Sequence, residues 1–69
     1  MNNRIQSLRE ALGLTQEEVA RRVGVTRQTI NAIENNKYNP TLELAFKLAR
    51  LFNTTVDNVF LYEGREGSR

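Results

Sequence analysis

Between Leu14 and Ile33 the chain carries two short helical segments, each opened by the same device and separated by a turn of four residues, Val23-Gly24-Val25-Thr26. Thr15 heads a T-x-x-E capping box. Its hydroxyl can accept from the amide of Glu18, and the Glu18 side chain can reach back to the amide of Thr15. Leu14 and Val19 have the spacing of a hydrophobic staple across that cap. Eleven residues later Thr26 repeats the cap, with Val25 and Ile30 as the staple pair. Gly24 supplies backbone freedom for a turn too tight for a side chain. Ala20 is small where the two helices must approach closely. Val19, Val25, Ile30 and Ile33 can therefore lock the pair at a fixed, steep angle.

The rest of the chain reads as three more helices, with no strand pattern and no internal repeat. The first runs from about Asn3 to Leu12, with Ile5, Leu8 and Leu12 at helical spacing and Gly13 as its stop. The second spans the capping box to Val23 and is closed by Arg21 and Arg22, cations that suit a helix C-terminus. In the third, Ile30 and Ile33 point inward, Arg27, Gln28, Asn31 and Asn35 point outward, and Asn35-Asn36 ends it. Thr41 caps the fourth, which runs to about Phe52. Its buried stripe is expected to be Leu42, Ala45, Phe46, Ala49 and Phe52, widened by Leu44, Leu48 and Leu51. Thr55 is expected to cap a short fifth helix, with Asp57 in its first turn and Val56, Val59, Phe60 and Leu61 as its apolar residues. The fold class is all-α. Residues 1–62 form one domain, with the paired helices at about 16–35, and residues 63–69 form a disordered tail.

Composition removes whole classes of function. The 69 residues include neither Cys nor His, which excludes a disulfide framework, Cys/His structural zinc and histidine acid–base catalysis. There is no glycine-rich phosphate loop and no nucleophile–base pair, so the chain is not read as an enzyme, and no cofactor, metal or small-molecule ligand is expected. No apolar run approaches the roughly 20 residues of a membrane span, and the N-terminus does not have the form of a signal peptide, so a cytoplasmic location is expected. The net charge of +2 is too small to argue for a nucleic-acid partner; the placement of the charges has to do so.

The string TQEEVARRVGVTRQTINAIENNKYNP resembles the phage-repressor-like (Cro/cI, XRE) family of helix-turn-helix regulators. The resemblance covers roughly residues 3–61 and rests on Gln16, Ala20, Gly24, Ile30, Ile33, the E-N-x-K run from Glu34 and the Pro-led fourth helix. Where the family usually carries Gly, this chain has Asn36, which can adopt the same backbone conformation at some cost. The family implies a compact five-helix bundle that binds double-stranded DNA as a dimer, one helix crossing the backbone while the next enters the major groove. In that arrangement Arg27 and Gln28 face base edges, where Arg fits guanine and Gln fits adenine, and Asn31 follows one turn later. Solvated surface residues are the plainer alternative for Arg27 and Gln28, and Asn31 meets either a base or a phosphate. Gln16 sits at a helix N-terminus suited to a phosphate, and Thr26, Thr29, Asn35 and Lys37 are placed for the DNA backbone. Tyr38 either joins them or covers the core. The resemblance also pairs Arg9 with Glu34 in a partly buried, structural ion pair.

A single recognition helix reads only a few base pairs. A homodimer on a palindromic operator, with half-sites about 10 bp apart, is therefore expected. The dimer interface is assigned to Val56, Phe60, Leu61 and Tyr62, with Val59 and Phe60 mainly core. Two other readings stay open: an antitoxin-type regulator that also binds a toxin protein, and an interaction domain without DNA binding. Arg27, Gln28 and Asn31, with no acidic residue among them, favour DNA.

Overall fold

A computed structural model describes residues 2–61, so the expected tail at 63–69 and Tyr62 lie outside the described residues. In chain order the elements are β1 (Asn2–Asn3), α1 (Ile5–Ala11), α2 (Gln16–Val23), α3 (Arg27–Glu34), α4 (Leu42–Leu51), α5 (Val56–Val59) and β2 (Phe60–Leu61). The molecule is a five-helix bundle with one addition. The expectation of no strand fails at both ends, where β1 and β2 pair antiparallel with Asn2 opposite Leu61 and Asn3 opposite Phe60. Two-residue strands carry no alternation to detect; only the fold brings them together. Helix α1 consequently starts at Ile5, whose amide donates to the Asn3 side-chain oxygen at 3.0 Å.

The punctuation governs the helices. Thr15, Thr26 and Thr41 each accept a backbone amide three residues on, and Thr15 with Glu18 completes the reciprocal box. Thr55 holds the equivalent position before α5 but makes no side-chain cap bond, contrary to expectation. The amides of Asn58 and Val59 find the Thr55 carbonyl instead. At their C-termini α1, α3 and α4 close alike: Gly13, Asn36 and Asn53 turn left-handed, and the next amide reaches back five residues to Arg9, Ala32 and Ala49. Helix α2 uses Gly24 at φ 79°, with the Val25 amide on the Ala20 carbonyl at 2.9 Å. A Cβ at Gly24 would meet nothing within 4 Å. Its requirement is therefore the left-handed backbone and not, as expected, lack of room.

The core is built from Ile5, Val19, Ala20, Val23, Ile30, Ile33, Leu44, Ala45, Leu48, Ala49, Phe52, Val59 and Phe60. The stripe expected on α4 is partly wrong. Leu44, Ala45, Leu48 and Ala49 are buried, whereas Leu42 and Phe46 are 70% and 54% exposed. With eight apolar residues among positions 42–52, two overlapping stripes satisfy helical spacing, and the packing of α4 against α2 and α5 selects the one through Leu44 and Leu48. No helix among the described residues is long and apolar enough to cross a membrane.

Candidate nucleic-acid interface

Helices α2 and α3 pack directly on one another, and their relation is fixed from below. Ile30 and Ile33 are fully or almost fully buried, as are Val19 and Ala20 on α2. Burying that face of α3 turns the opposite one outward, so Arg27, Gln28, Asn31 and Asn35 are all exposed. The first turn of α3 is held by Thr26, whose hydroxyl oxygen accepts from the Thr29 amide at 3.2 Å and lies 3.0 Å from the Thr29 hydroxyl. Arg27 and Gln28 thus project from a capped, rigid turn. Lys37 is exposed just past the helix, on the amide that closes its C-terminus. Tyr38 is 46% exposed and is not one of the core residues.

Beneath this surface lies a polar network that joins three helices. Glu34 is only 5% exposed at its side chain and Arg9 13%, and the Arg9 Nε donates to Glu34 Oε2 at 2.8 Å. Arg9 Nη2 donates to Glu34 Oε1 at 3.3 Å, and Nη1 to the Leu14 carbonyl at 3.0 Å. The carboxylate holds the Arg9 guanidinium above its ordinary pKa, chiefly through the hydrogen bond. The pair expected from the sequence is therefore present. Gln16 is half-buried and joins it, with Nε2 donating to Glu34 Oε1 at 3.0 Å. Asn31 Nδ2 donates to Gln16 Oε1 at 3.4 Å, and Asn35 Nδ2 donates to Asn31 Oδ1 at 3.2 Å. Sequence reasoning selects Gln16, Asn31 and Asn35 as separate contacts and does not reveal that they are bonded to one another.

Two further residues went unnoticed in the sequence. Asn3 Nδ2 donates to the Ile33 carbonyl at 2.8 Å and to Asn36 Oδ1 at 3.2 Å, and Asn36 Nδ2 donates to Asn2 Oδ1 at 3.1 Å. The N-terminal strand is thereby clipped to the end of α3. Of the residues assigned to a dimer interface, Val56 and Leu61 are half-buried and Phe60 is buried in the core of its own chain.

The comparisons agree with this geometry. Residues 5–59 match the helix-turn-helix family. An uncharacterized HTH-type transcriptional regulator of Archaeoglobus fulgidus is 47% identical over 66 residues, covering 96% of this chain and 94% of that protein. The restriction-modification controller protein C.AhdI from Aeromonas hydrophila superposes with a TM-score of 0.76 at 32% identity, over 83% of this chain and 86% of that one. The N-terminal DNA binding domain of SinR from Bacillus subtilis gives 0.71 at 28% identity, over 77% and 78% of the two chains. The chain belongs to the phage-repressor-like (Cro/cI, XRE) family of helix-turn-helix transcriptional regulators and has that family's DNA-binding fold.

Proposed function

We propose that the chain is a sequence-specific reader of duplex DNA that lays α3 in the major groove and represses transcription in the cytoplasm by occupying its operator. Arg27, Gln28 and Asn31 read base edges. Gln16, Thr26, Thr29, Asn35, Lys37 and Tyr38 run along the phosphates. The observation that carries this reading is the exposure of Arg27, Gln28 and Asn31 on one face of a helix whose other face, Ile30 and Ile33, is locked into the core. Such a helix presents a rigid row of donors and acceptors of the size the major groove admits. Gln16 at the start of α2 retains one free N–H beyond its bond to Glu34, enough for a phosphate oxygen.

Two copies on a palindrome, meeting through Val56, Leu61 and Tyr62 with Phe60 supporting that surface from the core, would double the number of bases read. The similar structure of the N-terminal DNA binding domain of SinR supports the partner class. The reading is tested by affinity measurements on a selected site. Arg27→Ala or Gln28→Ala is expected to weaken binding by about 1–3 kcal/mol and to relax preference at one base pair. Lys37→Ala is expected to weaken all sequences evenly and to lower the salt slope by about one. Unchanged affinity and preference in both the Arg27 and the Gln28 variants would remove α3 from the groove.

A further inference from the structure

We propose that Glu34, which touches no base, sets the specificity of the base pair read by Asn31 by fixing the polarity of a chain of side-chain amides. This rests on the DNA-reading role of α3 proposed above. A carboxylate only accepts hydrogen bonds, whereas an amide can offer either its nitrogen or its oxygen to a neighbour. Glu34 is held as the carboxylate partner of Arg9, at 2.8 Å, and its side chain is almost wholly buried. Gln16 must therefore turn its Nε2 toward Glu34, at 3.0 Å, and its Oε1 away. Asn31 meets that oxygen and must present Nδ2 to it, at 3.4 Å. The Asn31 Oδ1 is left on the opposite side, where Asn35 donates to it at 3.2 Å while also donating to the Asn31 carbonyl at 2.9 Å. One buried charge thus sets which way round Gln16 and Asn31 stand, and Asn35, held nitrogen-first by the Asn31 carbonyl, meets Asn31 in the same sense.

The consequence falls on Asn31. After its two relay bonds it keeps one N–H and one oxygen lone pair, with nitrogen and oxygen in a fixed order. One donor beside one acceptor matches the N7 acceptor and N6 donor of adenine and mismatches guanine, which offers two acceptors. An amide free to turn over could serve donors and acceptors in either order, and would read that position less strictly. Glu34 is accordingly a positioning residue, and Gln16 transmits its polarity in addition to meeting a phosphate.

The test uses the full chain and the best duplex it selects, with each base pair of a half-site replaced in turn. Glu34→Gln keeps the shape of the side chain but can offer nitrogen or oxygen to Gln16. It is expected to cut discrimination at one base pair by about tenfold, out of the roughly 5- to 150-fold that a bidentate contact supplies, and to leave the preferences elsewhere unchanged. That base pair should be the one relaxed by Asn31→Ala, and adding Glu34→Gln to Asn31→Ala should relax it no further. Gln16→Met cuts the relay while leaving Arg9 and Glu34 paired, so it tests the same prediction if Glu34→Gln does not fold; it should relax that base pair too, on top of an even loss of affinity. A uniform loss of affinity with every preference retained in both relay variants would reduce Glu34 to a structural residue and overturn the proposal. If Asn31→Ala changes no preference while the wild type still selects a site, DNA reading stands and the inference falls. If the wild type selects no site, the reading beneath it falls as well.

Discussion

Asn36 adopts φ 61°, in a region that usually costs an L-residue roughly 1–2 kcal/mol and that Asn tolerates better than most. The family's glycine would avoid that cost, but it could not make the bonds by which Asn36 donates to Asn2 and accepts from Asn3. Asn36→Ala, which loses both bonds and keeps the strained backbone, should lower stability by about 1–2 kcal/mol in urea unfolding. Asn36→Gly should cost less than about 1 kcal/mol, because relief of strain offsets the lost bonds. A glycine variant more stable than the wild type would show that those bonds contribute less than the strained backbone costs. The backbone of this residue was legible in the sequence, because its neighbours in the helix-end motif are local. Its side-chain partners were not, since they lie 33 and 34 residues away. The same limit applies to Gln16: its place at a helix start is local information, while its bond to Glu34 spans 18 residues.

Among the elements, α2 was the most readable because every signal in it is short-range, from the Thr15–Glu18 box to Gly24. The box also fixes a pH dependence. Hydrogen bonds from Thr15 hold the Glu18 carboxyl below its ordinary pKa. A carboxylate depressed in the folded state adds stability above its unfolded pKa and loses it as pH falls through the folded one. Between about pH 5 and the depressed value, wild type should therefore lose more stability than Glu18→Gln, and thermal unfolding at stepped pH measures the difference. Helix α4 was the least readable, since its abundance of apolar residues defines two stripes equally well. Truncation separates them. Leu48→Ala, at a fully buried position, should cost about 2–5 kcal/mol, whereas Leu42→Ala, at 70% exposure, should shift stability by less than about 1 kcal/mol. Comparable losses at both positions would contradict the packing of α4.

At the scale of the whole molecule, long-range polar links tie the outward surface of α3 to the scaffold. The Arg9–Glu34 pair joins α1 to the end of α3, and the Asn2–Asn3–Asn36 clip joins that same end to the strand pair that closes the chain on itself. Glu34→Ala would leave the Arg9 cation nearly buried without its carboxylate, at a cost of about 3–5 kcal/mol, large enough to appear as a clear fall in the unfolding midpoint. The bounds of α2, α3 and α4 and the outward face of α3 followed from local pattern, and the ion pair from the family resemblance, whereas α1 and α5 are shorter than expected because Asn2–Asn3 and Phe60–Leu61 pair as strands. The β1–β2 ladder and the amide relay exist only once distant segments meet. The central claim concerns what the outward face of α3 does, and selection of sites by the purified chain from a random duplex library tests it most directly. Enrichment of one palindromic sequence, with half-sites about 10 bp apart, is the predicted result. An unenriched pool, bound only weakly and in proportion to low salt, would contradict it.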